Sequence, residues 1–275
     1  MGLLKLRPRL GRLEASPERL GGLAGLAVGL IGTGVGMFND RRVRAAGLGS
    51  VAGLSVAVTL RLLLAETRES RQESRDLWGL SNAMVTGNPW PAPGGWALGA
   101  DALLWILRRI DADSAAAVVE LGPGVSTVIL CSCRPRIKSV GVEHGDQYVA
   151  QLTAEIASHG IKNHELLHAP LVTQGYEGTT VEWYDPAVLE RMPKQIDLLI
   201  VDGPPNWDGG QNRSLAWPLL RDRLSPGAFV LVDDTQRRAE RDMVDSWVGE
   251  GGLTQIHDGG TFTVLAVDGD AGRRP

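Results

Sequence analysis

The stretch Val118–Leu130, VVELGPGVSTVIL, reads as a short buried strand, a tight glycine turn and the opening of a helix. Val118 and Val119 are β-branched, Glu120 closes the apolar run, and Gly122-Pro123-Gly124 cannot continue a strand. From Val125 to Cys133 no glycine or proline interrupts the chain. A glycine turn carries ligand chemistry only between a strand and a helix, so the flanking sequence has to supply that context.

Downstream it does. From Ala115 the chain alternates apolar runs with longer mixed segments: AAAVVEL, then GPGVSTVILCSC as turn and helix, IKSVGVE, and DQYVAQLTAEIASHG as helix. HELLHAPL and IDLLIVD are two further strands, separated by a longer connection containing Pro186 and Pro193. SLAWPLLRDRL is expected as a helix, GAFVLVDD as a fifth strand and RRAERDMVDSWVGEG as a helix. This alternation predicts a mostly parallel sheet covered on both faces. The rhythm then breaks: LTQIHDGGTFTVLAV is two strands about the tight turn DGG, which joins only antiparallel neighbours. The expectation is an α/β fold with a seven-stranded sheet and a terminal antiparallel hairpin.

A second glycine-rich stretch, GLIGTGVGMFND (Gly29–Asp40), lacks that context. It lies within Leu20–Phe38, a run without charge that is long enough to cross a bilayer as a helix. NDRRVR follows, and Ala45–Leu60 is again uncharged, with Arg61 placed to snorkel from a helix end. No strand precedes these glycines, and small residues suit close packing of two membrane helices. A cleaved signal peptide fits poorly, because nineteen residues, seven of them charged, come first and a second apolar run comes after; a soluble glycine-rich helical hairpin is the remaining alternative.

Five basic side chains before the first run (Lys5, Arg7, Arg9, Arg12, Arg19) outnumber three in the connecting loop (Arg41, Arg42, Arg44). That bias places both termini in the cytoplasm. The expected organisation is a basic segment 1–19, a two-helix membrane hairpin 20–65, and a helical stalk and linker 66–88. A catalytic domain 89–270 and a tail 271–275 follow. ETRESRQESRD, at the start of the stalk, alternates sign with acids and arginines at i, i+4, as a solvated helix does. Trp90 and Trp96 are packing anchors for the helix expected over Asp101–Ile110, or line the mouth of a site.

Composition excludes some classes. A net charge of −4 and a pI near 5.8 leave no basic stripe for nucleic acid. Cys131 and Cys133 are too close together for an ordinary disulfide and too few for a zinc site, so they read as small core residues.

ELGPGVST, VGVEHGDQY, IDLLIVDGPP and VLVDDTQR, in this order and spacing, together resemble the class I S-adenosylmethionine (SAM) methyltransferases. Over about Pro89–Asp268 the chain is similar to small bacterial members related to sugar and macrolide O-methyltransferases. The resemblance implies a Rossmann-like sheet and SAM as cofactor. It places Gly122, Pro123 and Gly124 beside the methionine part, where a side chain would collide. Glu120 then holds the ligand's amino group, directly or through water, and Ser126, where the family often has a third glycine, can still donate to that carboxylate. Glu143 accepts from the ribose hydroxyls, as acids at this strand end do in nucleotide folds. His144 flanks the adenine or is an exposed loop histidine, and Ala169 packs by the adenine.

Asp202, Asp233 and Asp234 end neighbouring parallel strands, where ligands bind. Three acids there need a cation or hydrogen bonds. In catechol-type and macrolide-type relatives such acids hold Mg²⁺, which orients the acceptor hydroxyl; otherwise Asp234 caps the next helix and Asp202 touches SAM. Gly203–Arg213 is the loop over the acceptor. Arg213 and Arg237 bind an anionic acceptor or balance the aspartates, and His257 has no assigned role.

The resulting expectation is a membrane-anchored O-methyltransferase, its catalytic domain facing the cytoplasm. Its acceptor is a small molecule, sugar or glycolipid, with Asp202 and Asp233 catalytic. An inactive SAM-fold scaffold and an NAD-linked oxidoreductase are the alternatives; the terminal hairpin argues against the latter.

Overall fold

The structure, a computed structural model, describes residues 72–77, 97–111, 114, 116–206 and 211–269. The chain divides into Met1–Asp76 and Leu77–Pro275. Residues 72–77, inside the expected stalk, are helical, with Gln72 bonded to Asp76 one turn on. The expected basic segment 1–19, membrane hairpin 20–65 and tail 271–275 lie outside the described residues, as do Trp90 and Trp96. Among the described residues, no helix is long and apolar enough to cross a membrane.

The second unit is built on one sheet. Its strands are β1 (Ala117–Leu121), β2 (Lys138–Glu143), β3 (His164–His168), β6 (Ile196–Val201), β7 (Leu224–Asp233), β8 (Leu253–Asp258) and β9 (Phe262–Val267). They lie in the order β3-β2-β1-β6-β7-β9-β8. Every pairing from β3 across to β7 is parallel, whereas β9 is antiparallel to both β7 and β8. The mostly parallel seven-stranded, Rossmann-like sheet with its reversed closing strand is thus present. Its strand order reverses at β1, so the chain segments leaving β1 and β6 diverge side by side.

Alternation along the strands divides the core. Val119 and Leu121 of β1 face one side, with Val140, Val142, Leu199 and Val201. Val118 faces the other, with Leu198, Ile200 and Leu231. Helix α1 (Ala100–Arg109) and α2 (Val125–Cys133) cover the second face. Ala102, Leu103, Ile106 and Leu107 recur at helical spacing along α1 and are all buried. Cys131 is a buried core residue, its thiol pushed up to about 12 by burial. Helix α3 (Asp146–Ser158) follows β2 and buries little beyond Leu152.

The first face is covered differently from the expectation. HELLHAPL is not one strand: β3 stops at His168, and Leu171–Tyr176 (β4) opens a separate antiparallel hairpin with β5 (Thr179–Tyr184). Glu177 and Gly178 form its two-residue turn, both at positive φ, as a twisted hairpin requires. Val181, Trp183 and Tyr184 of β5 pack into the core of this face. The hairpin and a short 3-10 turn, Pro186–Arg191, therefore make the whole crossover from β3 to β6.

The helix expected over SLAWPLLRDRL is likewise broken into a 3-10 turn (Asn212–Leu215), α4 (Ala216–Leu220) and a second 3-10 turn (Arg221–Arg223). Pro218 has no N–H to give to Ser214 one turn back. The Ser214 carbonyl instead accepts the indole N–H of Trp247 at 3.2 Å. That bond fastens α5 (Arg238–Glu250) to this segment.

Candidate active site

The carboxyl ends of β1, β2, β3, β6 and β7 carry the residues singled out in the sequence. Backbone bonds hold these ends together: Gly122 N donates to Val142 O, Asp202 N and Gly203 N both donate to Leu121 O, and Ala169 N donates to Glu143 O. Buried Ala169 thereby sits beside Glu143.

The glycine turn differs in detail from the expectation. Gly122 has φ +82, and a Cβ on it would lie 2.9 Å from the Gly203 nitrogen. It is therefore glycine because the β6 exit presses on it. Gly124, by contrast, would carry a Cβ into open space. Pro123 packs over Gly141 of β2, where a Cβ would lie 2.7 Å from the proline ring. Gly141 escaped the sequence reading, because a glycine inside an apolar strand carries no chemistry of its own.

Glu120 is 1% exposed and turned inward. Ser126 donates to one of its carboxylate oxygens and Thr127 Oγ1 to the other, at 2.5 Å; Gly124 N–H in turn donates to Thr127 Oγ1. The acid thus braces the turn from below. Burial pushes its pKa from 4.5 up to about 7, against the two hydroxyls, which pull it down. The folded-state value lies above the unfolded one, so the folded chain holds this proton through a window in which the unfolded chain releases it. Stability should therefore fall by up to roughly 3 kcal/mol as pH rises from 4.5 to about 7, and stay flat above that. Glu120→Gln is expected to remove this slope and to match or exceed the parent's stability at pH 8. Denaturant midpoints from pH 5 to 8 check it; a variant that keeps the parent's slope would assign the slope to other groups.

Glu143 has one oxygen committed. Oε1 accepts from the His144 and Gly145 backbone nitrogens at 2.8 and 2.7 Å and lies 3.0 Å from His144 Nδ1. Burial raises its pKa, but these hydrogen bonds outweigh burial and hold it below the usual carboxylate value. The carboxylate is therefore ionised and fixed in direction. His144 is not an exposed loop residue: it leans on Glu143 and meets Tyr184 edge-on at 6.4 Å.

Asp202, Asp233 and Asp234 do come together, each able to offer an oxygen within 4.8 Å of the others. Among them lies Arg213. It is 3% exposed and donates to the carbonyls of Pro204, Asp233 and Asp202 and to Asp234 Oδ2 at 3.3 Å, with Asp202 Oδ1 at 3.6 Å. Of its two expected roles, the geometry shows the balancing of the aspartates; a guanidinium so enclosed does not reach out to an acceptor. Arg237 is different. It is half-exposed, with Nη1 2.8 Å from Asp234 Oδ2. Asp234 does not cap α5: it takes φ +65 and spends its carboxylate on these arginines and Gln236.

Glu240 was not singled out in the sequence, where it stands among charged residues of the helix expected over RRAERDMVDSWVGEG. It is buried, accepts from Asn206 Nδ2 at 3.2 Å and lies 3.7 Å from Arg237. Asn206 and Asn212 tie the segment after β6 together and to the hairpin: Asn206 Oδ1 accepts Asn212 N, and Asn212 Oδ1 accepts Glu182 N of β5. His257 is stacked on Trp105 at 6.1 Å.

The chain matches no protein-family model and no curated protein sequence. Among solved structures, cofactor-bound Rv0187 from MTB aligns with a TM-score of 0.48 at 18% identity, covering 70% of this chain and 88% of that one. The O-methyltransferase TomG from Streptomyces achromogenes, in complex with SAM, aligns at 0.47 and 18%, covering 70% and 90%. An O-methyltransferase from Bacillus cereus, in complex with SAH, aligns at 0.47 and 13%, covering 71% and 90%. At these scores the likeness carries no inference about the reaction, which has to come from the chain's own strand order and side chains.

Proposed function

We propose that this chain is a SAM-dependent methyltransferase acting on an oxygen of a small-molecule, sugar or glycolipid acceptor. The observation that carries the reading is the strand-end constellation at the point where the strand order reverses. The turn braced by Glu120, the anchored Glu143 carboxylate and the acids leaving β6 and β7 meet there, in a sheet closed by a reversed strand. Doubly wound sheets bind ligands at such a point. A dinucleotide oxidoreductase would continue its sheet in parallel.

SAM, when bound, supplies a methyl group on a sulfonium, ready for in-line displacement. Gly124 leaves the space for its methionine part, and Glu143 offers its second oxygen to the ribose hydroxyls. Ala169 and His144 line the adenine side. Asp202 orients the acceptor hydroxyl and takes its proton, while Asp233 holds the adjoining strand end. Half-exposed Arg237, paired with Asp234, offers positive charge to an anionic acceptor.

A second reading adds Mg²⁺. Three carboxylates within 4.8 Å form an all-oxygen donor set of the kind hard divalent cations take. Asp202, Asp233 and Asp234 would hold the ion, which would lower the acceptor's pKa. Arg213 and Arg237 supply positive charge at the same place, so metal dependence is decided by a chelator.

One experiment tests these readings together. SAM at a hundred times its Kd should stabilise the full chain by about 2.7 kcal/mol, read as a rise in Tm, and NAD should not. A rise with NAD instead would give the oxidoreductase; SAM binding without methyl transfer to any acceptor fraction would give the scaffold. EDTA should abolish transfer while sparing SAM binding if the ion is used; full activity in EDTA leaves Asp202 to act without it.

The membrane hairpin at 20–65, with the catalytic domain on the cytoplasmic side, remains part of this proposal. It is supported by the two uncharged runs and the excess of basic residues ahead of them. Sedimentation with membranes after a high-salt wash is its check.

A further inference from the structure

We propose that Tyr184 is a cofactor-binding residue whose phenolic hydroxyl donates a hydrogen bond to an oxygen of the bound S-adenosyl group. The proposal rests on the methyltransferase reading and adds to it a contact from outside the parallel sheet's own strand ends.

Tyr184 is the last residue of β5, in the hairpin that fills the connection between β3 and β6. It is 1% exposed, and its hydroxyl has no hydrogen-bond partner among the described residues. Buried hydroxyls are seldom left so, because losing water without gaining a partner is costly. The position of this one is specific. A Cβ placed on Gly203 would run into the Tyr184 hydroxyl, and the same Cβ would lie 3.1 Å from the Gly122 nitrogen and Cα. The hydroxyl thus stands over the junction of the β1 and β6 exits. Gly203 is glycine where the phenol and the first glycine of the turn converge.

The ring is edge-on to His144 at 6.4 Å and to Trp183 at 5.2 Å, which fixes its direction. It is therefore held between the methionine side of the site, at Gly122, and the ribose side, at Glu143 and His144. Burial, with the negative charges of Glu143, Asp202 and Glu120 nearby, holds the phenol well above its usual pKa of 10, with Arg213 opposing. A phenol so placed stays protonated. It is a donor in need of an acceptor, and it does not serve as the base that deprotonates a substrate. The S-adenosyl group offers ribose and carboxylate oxygens as acceptors, whereas its sulfonium offers none. SAM and its demethylated product should therefore depend on Tyr184 alike.

Tyr184→Phe in the full chain separates the possibilities, with SAM and S-adenosylhomocysteine titrated by calorimetry and Tm read without ligand. The ligand-free Tm should be unchanged or raised, since the hydroxyl removed has no protein partner, while both affinities should fall about tenfold. Parent-like affinity for both ligands would overturn the proposal and leave the methyltransferase reading standing. A fall in ligand-free Tm with parent-like binding would also overturn it, by giving the hydroxyl a structural role. A parent chain that binds neither ligand would remove the methyltransferase reading and this proposal with it. Tyr184→Leu, which also removes the ring's edge contact with His144, should lose more affinity than Tyr184→Phe.

Discussion

Replacing Arg213 by methionine should lower the unfolding free energy by about 3–5 kcal/mol, the usual loss when one partner of a buried charge cluster is removed. Its guanidinium donates to three carbonyls on the exits of β6 and β7 and lies within 3.6 Å of both Asp202 and Asp234. Methionine fills much of the volume and supplies none of the charge. The aspartates would face one another without the buried guanidinium, while Arg237 stays paired with Asp234 on the half-exposed side. Arg213→Lys should recover only part of the loss, since a single ammonium cannot reach the several acceptors that the planar fork reaches. Urea unfolding at pH 7 measures it. A methionine variant within 1 kcal/mol of the parent would show that the aspartates have another source of compensation.

Glu143→Ala is expected to weaken SAM binding by roughly 1.5–3 kcal/mol, about 10- to 150-fold, the range for hydrogen bonds to a charged group. The expectation is sharper than for an ordinary exposed acid, because the His144 and Gly145 backbone nitrogens already hold one oxygen in place. The other oxygen is presented without further loss of side-chain freedom. The variant's fold is checked in the same experiment, since two backbone donors lose their acceptor. Equilibrium dialysis with labelled SAM, alongside circular dichroism, decides it. A folded Glu143→Ala chain that bound SAM as the parent does would remove Glu143 from the cofactor site.

Much of the site was legible before the fold was seen. Glu120, Glu143, Asp202 and Asp233 each close an apolar run, and a polar residue at the carboxyl end of a buried parallel strand has few places to be other than the ligand edge. The β4–β5 hairpin was legible and overlooked: LVTQGY-EG-TTVEWY alternates on both sides of a two-residue turn ending in glycine, the pattern of a hairpin. Pro186 and Pro193 drew attention to a connection rather than to a pair of strands. Pro218 likewise marked the break in the helix expected over SLAWPLLRDRL, because the missing N–H is a covalent fact.

The sequence by itself determined what depends on neighbours along the chain. These are the strand, turn and helix at 118–130, the alternation that makes the sheet, the reversal at Gly259-Gly260, and the acids at strand ends. Each follows from the period of apolar residues or from the backbone freedom of glycine and proline, both local properties. Only the tertiary structure decided which charges are interior. Arg213 meets Asp202 and Asp234 across 11 and 21 residues of chain, and Glu240 meets Asn206 across 34. Such pairings depend on the path of the crossovers, which composition does not encode. The same holds for Glu120: the sequence showed an acid beside a glycine turn, but only the packing of α2 over β1 showed that Ser126 and Thr127 would claim both its oxygens. A carboxylate takes its role from the donors that surround it once water is excluded, and those donors arrive from other elements of the fold.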